Sequence, residues 1–109
     1  MTETAVPARA PLSGPTGRLV AAHREELREV LRRHGVTDAH IFGSVARGDD
    51  RPGSDLDLLV EFPRGTSLFE LAGIQAELEE VLGVEVDLGT RGSLKPRIRP
   101  RVERDLVAL

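Results

Sequence analysis

Asp55 and Asp57 stand one residue apart at the head of an apolar run, DLDLLVEF at 55–62. Side chains alternate across a strand, so both carboxylates point one way while Leu56 and Leu58 point to the other face. Their separation along the strand is about 7 Å. Two such anions repel each other, and half-burying them without a partner is costly. A divalent cation removes that cost, and hard oxygen donors at this spacing suit Mg²⁺ or Mn²⁺. A third acid is available in VEVDL at 84–88. There the alternation sets Val84, Val86 and Leu88 against Glu85 and Asp87, and a neighbouring strand would bring Asp87 beside the first pair. Three acids on one sheet face fit a two-metal site for phosphoryl or nucleotidyl transfer. The same D-x-D also occurs on strand faces that simply meet solvent, so the acids alone leave both readings open.

Ten residues separate the pair Gly43-Ser44 from Asp55. It follows the apolar stretch DAHIFG and precedes SVARG, which reads as a short helical turn. A glycine there lets the backbone approach a ligand closely. Ser44 then sits at a helix start, where free N–H groups and a hydroxyl suit phosphate oxygens. Arg47, one turn on, can add a charge-assisted contact. A Walker A loop is excluded, because no Gly-Lys-Ser/Thr follows. By itself the pair is also an ordinary turn and helix cap.

The elements that must hold these residues follow from hydrophobic period. Leu19, Val20, His23, Leu27, Val30 and Leu31 recur at helical spacing over 17–34, with Thr16 as candidate cap and Gly35 as stop. DAHIFG reads as a short strand, DDRPGS as a polar loop turning at Pro52-Gly53, and DLDLLVEF as the strongest strand. A second amphipathic helix spans 68–82, capped by Ser67 or Thr66, with Leu68, Leu71, Ile74, Leu78, Val81 and Leu82 on its apolar face. VEVDL forms a third strand. A basic segment leads to a last helix at 100–107, with Pro100 in its first turn. The strand–helix–strand step allows a parallel pairing. The expected fold class is α+β, a two-layer arrangement of a small mixed β-sheet with helices packed on one face. Residues 1–15, rich in Pro, Ala, Gly and Thr, read as a disordered tail, and 16–109 as a single domain.

Composition narrows the function classes. The chain has 109 residues with 39% hydrophobic and 30% charged, the balance of a soluble globular domain. With no cysteine, disulfides, zinc–thiolate sites and thiol catalysis are excluded. Three phenylalanines are its only aromatics, and the net charge is -3, so neither a base-stacking platform nor a global basic footprint points to direct nucleic-acid binding. No run is long enough to span a membrane, and the N-terminus lacks a signal-peptide core, so a cytoplasmic location is expected. Lys95, Arg97, Arg99, Arg101 and Arg104 crowd a short stretch that suits triphosphate, an acidic partner surface or plain solvation.

Read together, the pieces resemble the minimal nucleotidyltransferases of the DNA polymerase β-like superfamily. The resemblance rests on Gly43-Ser44, ARG at 46–48, SDLDLLVEF at 54–62, VDL at 86–88 and the tail SLKPRIRPRVERDLVAL, and it covers roughly 27–109. It implies a nucleotidyltransferase fold, ATP as substrate and two Mg²⁺ ions held by Asp55, Asp57 and Asp87. Gly43, Ser44 and Arg47 would bind the nucleotide's phosphates, and Asp87 would help deprotonate the attacking hydroxyl. Small members are similar to the antitoxins of HEPN/MNT toxin–antitoxin pairs. That implies transfer of AMP to a tyrosine of a partner HEPN toxin, an RNase, within a hetero-oligomer. Two alternatives remain beside it: an antitoxin that neutralises by complex formation alone, and a small-molecule enzyme of the aminoglycoside-modifying type.

Overall fold

The computed structural model describes residues 10–109. Two helices, α1 (Pro15–Ala22) and α2 (Arg24–Arg33), lead into strand β1 (Ala39–Phe42). The short helix α3 (Gly43–Arg47) follows β1 directly, and a loop returns the chain to β2 (Leu56–Val60). Helix α4 (Leu68–Leu82) crosses over to β3 (Val86–Gly89), after which a single 3-10 turn, α5 (Arg99–Asp105) and β4 (Val107–Ala108) complete the fold.

The four strands form one mixed sheet in the order β3-β2-β1-β4. β1 runs antiparallel to both β2 and β4, whereas β2 and β3 are parallel, joined through α4 as a βαβ step. Ile41, Leu56, Leu58, Val60 and Val86 point from the sheet into one core with Leu27, Val30 and Leu31 of α2 and Ile74, Leu78 and Leu82 of α4. Each fully buried aliphatic side chain of this kind contributes about 1.5–3 kcal/mol. The α+β expectation therefore holds, with α2 and α4 on one sheet face. Leu59, on the face that the aspartates share, and Val102 of α5 are buried outside that core.

Four local expectations are corrected. The helix read over 17–34 is two helices, broken at His23, whose backbone (φ -114, ψ 18) leaves the helical region. The period ran through the break because Val20 and Leu27 both face the same core. Leu68 lies 81% exposed, not on the apolar face of α4, and Phe69 beside it 90%; the fully buried stripe of the helix begins only at Ile74. The last helix ends at Asp105 rather than 107, and Val107 instead joins a two-residue edge strand that composition did not reveal. Of the expected tail, residues 1–9 lie outside the described residues. Residues 10–15 are held on the body: the Leu12 amide donates to the Val45 carbonyl at 3.3 Å, and Gly14 is buried.

Candidate functional site

The strand pairing decides which acids meet. In the antiparallel β1–β2 ladder Phe42 faces Asp57, and in the parallel β2–β3 ladder Asp57 faces Asp87. Directly paired residues share a sheet face. The end of β1, the start of β2 and the start of β3 therefore converge, and α3 begins at that convergence. Asp55 lies just before β2 on the same side as Asp57. Asp55 and Asp87 are exposed, whereas Asp57 between them is half-buried.

The electrostatics follow from this placement. Burial, reinforced by the negative charges of Asp87 and Asp55, pushes the Asp57 carboxyl up to about 6. The Asp87 carboxyl also lies within hydrogen-bonding reach of it, and the cation of Arg47 pulls weakly the other way. A proton is thus drawn to a place where two carboxylates face each other, and a hard cation answers the same excess of negative charge.

Gly43 explains how the turn can come so close. Its φ of +77° lies in the left-handed region, and a Cβ built on it would stand 2.6 Å from Oδ2 of Asp57. Any side chain here would collide with the carboxylate and strain the backbone. Ser44 follows in the first turn of α3, partly exposed, and Gly48 (φ 80) ends that helix in a left-handed cap. Arg47 is pinned from two sides, with Nε 3.0 Å from Asp49 and Nη1 3.3 Å from Asp105 of α5.

The donor set fits a divalent metal ion in three respects. All the donors are carboxylate oxygens, burial and the charges of Asp87 and Asp55 hold the central one above the usual carboxylate range, and Gly43 puts no side chain beside Oδ2. Among the described residues no three acidic or histidine side chains form a ready metal-holding group, and Asp55 acts on Asp57 through charge alone.

One supporting residue was missed. Asp50 is 5% exposed, and its Oδ2 accepts from the amides of Thr16 (2.7 Å) and Gly17 (3.1 Å). It caps α1 from 33 to 34 residues away, since Gly14 at the N-cap has no side chain for the purpose. Thr16, expected as that cap, instead donates its hydroxyl to the Ser54 carbonyl at 3.0 Å. Helix α1 therefore fastens both ends of the loop that delivers Asp55 to its strand. The sequence signal was the lack of any Ser, Thr, Asp or Asn immediately before Pro15, which leaves the cap to a distant residue.

With this geometry in hand, three comparisons bear on the chain. The family model described as the nucleotidyltransferase domain matches residues 24–109. A candidate protein adenylyltransferase of Methanocaldococcus jannaschii is 47% identical over 78 residues, covering 72% of this chain and 84% of the relative. The protein adenylyltransferase MntA of Thermococcus cleftensis is 40% identical over 89 residues, covering 82% and 87%. Among solved structures, a candidate minimal nucleotidyltransferase superposes with a TM-score of 0.73 at 42% identity, covering 84% of this chain and 94% of that one. A toxin–antitoxin structure with AMP-PNP superposes with a TM-score of 0.65 at 20% identity, covering 77% and 69%, a likeness of fold alone.

Proposed function

Because the chain belongs to the nucleotidyltransferase domain family, we propose that it transfers AMP from ATP to a tyrosine hydroxyl of a partner HEPN-domain RNase toxin, and is the antitoxin of that pair. The observation that carries this reading is the register pairing of Asp57 with Asp87, which sets two carboxylates against each other beside a side-chain-free Gly43. The relatives named protein adenylyltransferase support the choice of a protein acceptor. The chain contains no tyrosine, so in this reading the acceptor tyrosine belongs to another protein.

In this reading Asp55, Asp57 and Asp87 would hold two Mg²⁺ ions, which when bound would supply charge neutralisation at the α-phosphate and at the pyrophosphate leaving group. Gly43 lets the chain pass close to the triphosphate, and Ser44 offers its hydroxyl and backbone N–H to phosphate oxygens. Arg47 lends positive charge from the flank, held in place by Asp49 and Asp105. Asp87 accepts the proton of the attacking hydroxyl. The acceptor oxygen bonds to the α-phosphorus, the bond from that phosphorus to the bridging oxygen breaks, and pyrophosphate leaves.

The test is label transfer from α-labelled ATP to the co-purified partner. Transfer is expected from the parent and should be abolished by Asp55→Asn and by Asp57→Asn, with the fold retained in both. Retained transfer in the Asp57 variant would sink the metal assignment. Neutralisation of the toxin by both variants would point instead to an antitoxin acting through complex formation.

A further inference from the structure

The densest charge on the molecule borders the carboxylate face without belonging to it. Between Lys95 and Arg104 five cationic residues face a single acid, Glu103, in a chain whose net charge is -3. Some of these charges have structural work. Arg99 donates to the carbonyls of Arg91 and Leu94, and Glu103 is taken by Arg91 at 3.1 Å. Arg101 and Arg104 are exposed on α5, with no hydrogen bond or ion pair to any other described residue. Together with Arg47 and Asp105 they line an open cleft of about 410 Å³. Its one acid, Asp105, is already shared with Arg47. Arg101 and Arg104 repel each other and the already paired Arg47, so the fold gains nothing from leaving these two without partners here, whereas an anionic visitor would be attracted.

The neighbourhood selects the kind of anion. No aromatic side chain lines the cleft, so a single-stranded nucleic acid would find nothing to stack on. Asp49 pairs with Arg47 at the cleft, and the charge of Arg47 reaches Asp57, so a phosphate backbone tracking past Arg47 would meet their repulsion. A short run of carboxylates on a protein surface avoids that, because its charge is local, and guanidinium forks match carboxylates two bonds at a time.

We propose that Arg101 and Arg104, in the cleft they share with Arg47, dock an acidic segment of the acceptor protein and thereby hold the acceptor hydroxyl against the Asp57–Asp87 face. The identity of the occupant rests on the adenylyl-transfer reading above, whereas the charge preference rests on the cleft alone. The test uses the full chain and three labelled probes: a tyrosine peptide flanked by Asp and Glu, the same peptide with Asn and Gln, and a short single-stranded RNA. In fluorescence anisotropy the acidic peptide binds in preference to the other two, and its affinity falls as salt rises. The double variant Arg101→Glu/Arg104→Glu weakens it by about tenfold or more while leaving ATP affinity unchanged in calorimetry. Equal binding of acidic and neutral peptides, tighter binding of the RNA, or a parallel loss of ATP affinity would each overturn the proposal. AMP transfer to the partner toxin is followed beside it. Transfer by the double variant at the parental acceptor KM overturns the docking site and leaves the enzyme reading standing. Absence of transfer by the parent, with charge-selective peptide binding intact, overturns the enzyme reading and leaves the docking surface standing.

Discussion

Replacing Asp57 by Asn should make the protein more stable while removing its activity. An acid whose folded pKa is raised holds an extra proton in the folded state, between its ordinary value of 3.8 and about 6. The stability it contributes is present below the unfolded value and is lost as pH rises through about 6. Above that point the folded state carries a carboxylate that burial, Asp87 and Asp55 all disfavour. The full shift corresponds to at most about 3 kcal/mol. Asp57 is only half-buried, and solvent screening reduces the figure to about 1–2 kcal/mol. Asn keeps the shape and drops the charge, so the variant should melt about 4 °C or more above the parent near pH 8, with a chelator present. The gain should vanish near pH 4, where the parent's carboxyl is already neutral. Urea denaturation at both pH values measures it. A variant no more stable than the parent at the higher pH, or equally stabilised at both, would refute the charge argument.

Three further outcomes follow from the same geometry. Mg²⁺ should raise the melting temperature of the parent, more so above pH 6 than below, and should lose this effect in Asp57→Asn; thermal melts with and without a chelator read it. In Gly43→Ala the new methyl would meet Oδ2 of Asp57 at 2.6 Å on a backbone with φ +77. The left-handed strain costs about 1–2 kcal/mol, and AMP transfer should fall far more than stability, seen by label transfer beside urea denaturation. Asp50→Ala removes the only side-chain acceptor among the described residues for the amides of Thr16 and Gly17 and should cost about 1–2 kcal/mol. Hydrogen exchange should then speed up at those two amides first.

The face shared by Asp55 and Asp57 was legible because side-chain alternation is a local property of a strand. The match of Asp87 with Asp57 needed more, namely that β3 lie parallel to β2 at a particular register. The sequence offered the parallel step through α4 but only a plausible place for the acid. What stayed hidden was tertiary. Asp50 caps a helix more than thirty residues away, and no window around either partner records the bond. His23 interrupts a helix whose apolar period continues unbroken on both sides. β4 has two residues, too few for any alternation to register, and it exists because Leu109 is buried and its amide donates to the Ala39 carbonyl at 3.1 Å. Arg47 read only as a phosphate contact, because its pairing with Asp105 needs α3 and α5 brought together.

Mass spectrometry of the proposed HEPN partner, intact and as peptides, co-expressed with this chain, tests the central claim most directly. With the parent chain the partner should gain the mass of AMP on a tyrosine, and with Asp57→Asn it should remain unmodified although the two proteins still co-purify. An unmodified partner beside the parent chain, or a modified one beside the Asp57 variant, would contradict the account.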